Sequence, residues 1–113
     1  WARPYRFEPT FQKYAQQSCC GLFLHPTNAS MLRSYRFTVA MIACIAKLWP
    51  RQFAWRQPPY EYETVKLPID ILSGGTALRE AIDVGLTLES LEQVTFIDNS
   101  EWESSIQDDR IYE

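Results

Sequence analysis

His25 is the only histidine in the sequence, and the only side chain that titrates near neutrality in an ordinary environment. It is the natural candidate for proton transfer or for holding a polar substrate group. The competing reading is a hydrogen-bonded structural residue at a strand end. Glu61 and Glu63 alternate within Tyr60-Glu61-Tyr62-Glu63. In an extended strand they share a face about 7 Å apart, within the separation that inverting glycosidases place between two carboxylates. Any alternating pair of acids has that spacing, so a solvated edge-strand face explains it equally well. Tyr60 and Tyr62 fall on the opposite face, as core or wall residues whose hydroxyls can also meet a sugar. Ser73-Gly74-Gly75-Thr76 could cradle an anion on backbone amides at a helix start. It lacks the lysine and spacing of a phosphate-binding loop, and a turn followed by an N-cap explains all four residues.

Other chemistries find less support. Cys19 and Cys20 are adjacent, so at most one of them could pair with Cys44, and free thiols are expected. With a single histidine and no second cysteine pair, no metal site is expected, and nothing calls for a cofactor. Charge is divided along the chain. Residues 1–57 hold eight bases and one acid, a net +7, while residues 58–113 hold three bases and thirteen acids, a net −10. Thirteen of the sixteen aromatics precede residue 63, which raises a nucleic-acid surface as a possibility. The bases are dispersed singly and no recognition signature is present, so no nucleic-acid partner is expected.

These residues need elements to position them. A chain of 113 residues with 46% hydrophobic and 22% charged residues is expected to fold as one domain. The longest apolar run, Phe37 to Ala46, is well short of the ~20 residues of a membrane span. The chain starts at Trp1 rather than Met and reads as a mature product or a piece of something longer, which leaves its compartment open. Tyr5 to Phe11 alternates as a strand interrupted by Pro9, with Tyr5, Phe7 and Phe11 on one side and Arg6 and Glu8 on the other. Cys20 to His25 reads as a buried strand closed by Pro26. Tyr35, Val39, Ile42, Ala46 and Trp49 recur at helical spacing from an N-cap at Ser34 to a stop at Pro50. Tyr60 to Glu63 predicts a third strand, after which Leu67 to Leu72 is a short apolar piece. A helix capped by Thr76 presents Leu78 and Ile82 and ends at Gly85, and Thr87 opens another carrying Leu88, Leu91 and Val94. Asp98-Asn99-Ser100 breaks that pattern before a polar tail. The expected class is α+β, a small mixed or antiparallel sheet with two to three helices packed on it.

The stretches Phe7 to Gly21, Leu24 to Ala40, Gln57-Pro58-Pro59-Tyr60-Glu61-Tyr62-Glu63 and Leu67-Pro68-Ile69-Asp70-Ile71-Leu72-Ser73-Gly74 carry a family likeness. The chain resembles the C-terminal domain of the bacterial exo-β-N-acetylmuramidases, peptidoglycan-recycling glycoside hydrolases formerly grouped as a domain of unknown function. The resemblance implies a two-domain parent. It implies a Rossmann-like N-terminal catalytic domain outside this chain, with the chain expected to be a cleft wall that is inactive when isolated. Members release N-acetylmuramic acid from the non-reducing ends of peptidoglycan-derived glycan, and a bacterial, exported location would suit that role. The family pattern Pro-Thr-Phe-x-Lys corresponds to Pro9-Thr10-Phe11-Gln12-Lys13, and His-x-Thr-Asp to His25-Pro26-Thr27-Asn28. The resemblance thus makes Lys13, His25, Tyr60, Glu61 and Asp70 substrate-binding candidates and leaves the catalytic carboxylate to the other domain. The chain departs from the pattern at Gln16 and Cys20, where glycines are usual, and at Asn28, where Asp is usual, so no acid or metal-binding role carries over at position 28. Beyond Gln93 only Trp102 and Tyr112 echo the family. The alternative is a non-catalytic module that binds glycan or another domain.

Overall fold

In the computed structural model, which describes residues 1–111, strands β1 (Ala2–Phe7) and β2 (Cys19–Leu24) form a two-stranded antiparallel sheet. Ala2 pairs with Leu24, Tyr5 with Gly21 and Phe7 with Cys19. Alternation along a strand puts Arg3, Tyr5 and Phe7 on one face with Cys19, Gly21 and Phe23, and Pro4 and Arg6 on the other with Cys20 and Leu22. The expected separation of Tyr5 and Phe7 from Arg6 is therefore observed. The strand stops at Phe7, before Pro9, and Phe11 lies in the connecting turns. Past Leu24 the pairing continues through two backbone bonds: the His25 amide donates to the Trp1 carbonyl at 2.8 Å and the Trp1 amine to the His25 carbonyl at 2.9 Å.

The chain divides into two compact units, Trp1–Arg33 and Ser34–Glu113. The hairpin makes up most of the first, together with a 3-10 turn over Ala29–Met31. The second unit is helical: α1 (Ser34–Leu48), α2 (Pro68–Leu72), α3 (Ala77–Asp83), α4 (Leu88–Thr95) and α5 (Ser100–Ser105), followed by a 3-10 turn over Gln107–Asp109. Its core is Val39 from α1, Leu78 and Ile82 from α3 and Leu91 from α4, with Ile42, Ala46, Ile69 and Val94 packed against it. These are the helix faces expected from the spacing, except at their ends. Tyr35, Trp49 and Leu88 are exposed, so the buried stripe is one turn shorter than the periodicity suggests.

The α+β class is as expected, with an antiparallel sheet followed by helices. Three local expectations are corrected. Tyr60–Glu63 is not a strand: the Tyr60 and Glu63 backbones bond to each other within a single bridge, and Glu61 has a φ of +54°. The chain reverses there, so Glu61 and Glu63 do not share a strand face. The strand expected to be buried at Cys20–His25 is β2, and it is exposed from Cys20 to Leu24, since a two-stranded sheet has too few strands to make an interior. The short apolar piece before Gly74, for which the spacing predicts no element, is helical, with Pro68 at the first helical position, where its missing N–H costs nothing. Thr76 precedes α3 but makes no side-chain cap. Thr87 does cap α4: its hydroxyl accepts from the Ser90 amide, while the Ser90 hydroxyl accepts from the Thr87 amide. Glycine is required at Gly85, which ends α3 with a φ of +98°.

Candidate functional site

The densest collection of chemically capable groups lies on one face of the hairpin. Arg3, Tyr5 and Phe23 are brought together by register, since Arg3 is paired with Phe23 and Tyr5 lies two residues along β1. The Arg3 guanidinium carbon is 5.2 Å from the centroids of both the Tyr5 and the Phe23 rings, so two aromatic rings hold it. His25 extends the same face, with its ring 4.6 Å from Phe23 and 5.2 Å from Trp1. Arg3 Nε donates to His25 Nε2 at 3.3 Å. That bond needs a lone pair on Nε2, so the neutral ring carries its proton on Nδ1. The rings remain partly open to water, and Tyr5, Phe7 and Phe23 are each exposed.

Lys13 belongs to the long connection between the strands. It is exposed, with Nζ 5.1 Å from the centroid of the Tyr14 ring. That connection leaves the sheet at Phe7, whereas His25 follows Leu24 at the other end, about 17 Å of strand away. The hairpin therefore does not bring Lys13 and His25 together through its strands. The connection itself is tightly wound. Gln12, Tyr14 and Gln16 all have φ near +60°, and the Gln16 amide donates to the Pro9 carbonyl at 2.9 Å. The left-handed backbone at position 16 is one that glycine adopts without strain. At position 28 the departure from Asp is structurally neutral: Asn28 Oδ1 accepts from the Ser30 amide at 3.1 Å and the Ser30 hydroxyl at 2.7 Å, a cap that either side chain can make.

Tyr60, Glu61 and Asp70 lie in the helical unit. Tyr60 is half-buried, with the Arg56 guanidinium 5.6 Å from its ring centroid. Glu61 is exposed in the turn. Asp70 is engaged at both oxygens by Arg79, through Nε at 2.8 Å and Nη2 at 3.1 Å, an ion pair that ties α2 to α3. The Asp70 hydrogen bond moves the Arg79 guanidinium further toward permanent protonation. Glu63 serves its own loop: Oε1 accepts from the Val65 amide at 2.7 Å and the Lys66 amide at 3.2 Å, which holds its carboxyl below the ordinary value. Of the acids singled out in the sequence, only Glu61 has a carboxylate with no hydrogen bond or ion pair among the described residues.

The helical unit also contains a cavity of about 830 Å³, lined by Ala43, Phe53, Trp55, Ile82 and Leu91 with Lys47 and Asp83 among the polar groups. Trp55 Nε1 donates to Asp83 at 2.8 Å, which fixes one wall. None of the five candidates lines this cavity. Cys19, Cys20 and Cys44 are free thiols, and among the described residues no three His, Cys, Asp or Glu side chains gather as a metal site. No helix of the described residues is long and apolar enough to cross a membrane. Trp102 is exposed on α5, and Tyr112 lies outside the described residues. Arg3 escaped the sequence reading, because its tie to Phe23 and His25 depends on strand register rather than on any local motif.

Residues 1–112 match the family model described as exo-β-N-acetylmuramidase NamZ, C-terminal, and the chain belongs to that family. It is thereby associated with the bacterial N-acetylmuramidase glycosidases as their C-terminal domain, which implies an N-terminal catalytic partner. No curated protein and no solved structure matches the chain.

Proposed function

We propose that this chain forms one wall of the substrate cleft of an exo-acting glycoside hydrolase. The parent enzyme releases N-acetylmuramic acid from the non-reducing ends of peptidoglycan fragments, with the reaction centred in a Rossmann-like N-terminal domain. The match to the muramidase C-terminal family over residues 1–112 carries the reading. The chemistry of the hairpin supports it. Aromatic rings offer stacking surfaces for a pyranose, and Lys13, His25 and Arg3 are suited to its polar and anionic groups. In this assignment Tyr60 and Glu61 contact the glycan, and Asp70, bound by Arg79, fixes α2 against α3.

The occupied carboxylates favour a division of labour. With Asp70 bound to Arg79 and Glu63 to its own loop, the chain offers Glu61 alone among its sequence-marked acids, which suits binding better than paired acid–base catalysis. Deleting this chain from the two-domain protein is expected to abolish turnover of a chromogenic N-acetylmuramic acid glycoside, while full turnover by the remaining domain would overturn the cleft-wall role. The second reading, a non-catalytic glycan- or domain-binding module, gains if His25→Ala and Lys13→Ala raise KM and leave kcat intact.

A further inference from the structure

Arg3 carries an inference that rests on the glycan reading and sharpens it. Its guanidinium lies against both Tyr5 and Phe23 and spends one of its five N–H donors, Nε, on His25. Among the described residues, no carboxylate lies within salt-bridge distance of Arg3 and no acceptor meets its two Nη groups. Among the described residues no buried side-chain polar atom lacks a partner, so the Nη groups reach water. The other half-buried, multiply contacted arginines are satisfied within the chain: Arg79 by Asp70, and Arg36 by Thr95 and Glu92. Arg3 is held in place without an anion.

We propose that the free Nη edge of Arg3 is the carboxylate-reading element of the hairpin face, taking the acid group of a carboxylated amino sugar whose ring lies on the adjoining aromatic surface. A guanidinium fork matches the two oxygens of a planar carboxylate. The aromatic contacts and the His25 bond fix the fork before the ligand arrives, so little side-chain freedom is lost on binding. Tyr5 and Phe23, with ring centroids 5.7 Å apart, supply apolar surface beside the fork, and the Phe7 ring extends it over Gly21. Arg3 therefore sets the preference for an acidic over a neutral amino sugar, and Lys13, on the far connection, does not.

The test is a titration of the ¹⁵N-labelled chain followed through its arginine Nε–H and backbone amide signals. N-acetylmuramic acid, N-acetylglucosamine and D-lactate serve as separate probes. N-acetylmuramic acid is expected to bind about tenfold or more tightly than N-acetylglucosamine, and to shift the Arg3 Nε–H signal. Arg3→Gln is expected to bring the two sugars to equal affinity, and Arg3→Lys to retain part of the preference. Unshifted β1 and β2 amides in each variant establish that the hairpin is intact. An unchanged preference in Arg3→Gln, or no carboxylate probe moving the Arg3 signal, overturns the proposal. D-lactate shifting the Arg3 signal while neither sugar binds would uphold the carboxylate site and sink the glycan reading. Both sugars binding equally, to wild type and variant alike, would do the reverse.

Discussion

No residue of the hairpin unit is buried, whereas the helical unit encloses Val39, Leu78, Ile82 and Leu91. The charge differs as well. Residues 1–33 hold four bases and one acid, and residues 34–113 hold seven bases and thirteen acids. A pair of six-residue strands has too few strands to make an interior of its own, and its side chains stay exposed or half-buried. Three helices meeting at branched aliphatic residues can bury those residues against one another and leave their acids to solvent. The comparison teaches that burial and exposure are separated within this chain: the helical unit carries the core, and the hairpin leaves its aromatic side chains exposed.

Core truncation is the strongest way to break that comparison. Leu78→Ala is expected to cost about 3 kcal/mol in urea unfolding, because a side chain that is 4% exposed leaves a cavity among Val39, Ile82 and Leu91. Phe23→Ala, on the exposed hairpin face, is expected to cost about 1 kcal/mol or less, the scale of cross-strand pairs. Equal losses from the two substitutions would show that the hairpin is as well buried as the helices, and the distinction would fail.

A smaller effect of opposite sign is expected at position 16. Gln16 occupies left-handed backbone with a φ of +60°, where a Cβ is penalised. Gln16→Gly is expected to stabilise the chain by about 0.5 kcal/mol once the greater freedom of glycine in the unfolded state is counted. The readout is the urea midpoint, with the slope unchanged. A loss of stability would mean that the Gln16 side chain, rather than its backbone, holds the connection between the strands.

Much of the architecture was legible because local signals agreed with tertiary demand. Tyr5 and Phe7 alternate against Arg6, Thr87 opens α4, and Gly85 stands where α3 must end. Tyr60 to Glu63 misled because alternation of ring and acid is the same in a strand and in a tight turn, and only a pairing partner separates the two. The five residues of α2 are too few to express a helical period. Of the candidate site, His25 was legible by its uniqueness. Arg3 was not, since its environment is made by residues some twenty positions away and by register alone.

The smallest expected effect lies in the acid limb of the helical unit, in the turn that replaced the predicted strand. Glu63 is held below its ordinary value of 4.5, chiefly by the Val65 amide and then by that of Lys66. A carboxyl with a lowered folded-state value stabilises fully above the unfolded value and loses that contribution as pH falls through the folded one. The melting temperature of the wild type should therefore exceed that of Glu63→Gln at pH 7, and the gap should close as pH drops below 4.5. Asp98, lowered by the Ser100 hydroxyl and amide, titrates with the same sign in both proteins and so cancels from the difference. A gap that persists undiminished at pH 3 would mean that the Glu63 charge has no part in holding the turn, and that the amides of Val65 and Lys66 are met equally well by a neutral acceptor.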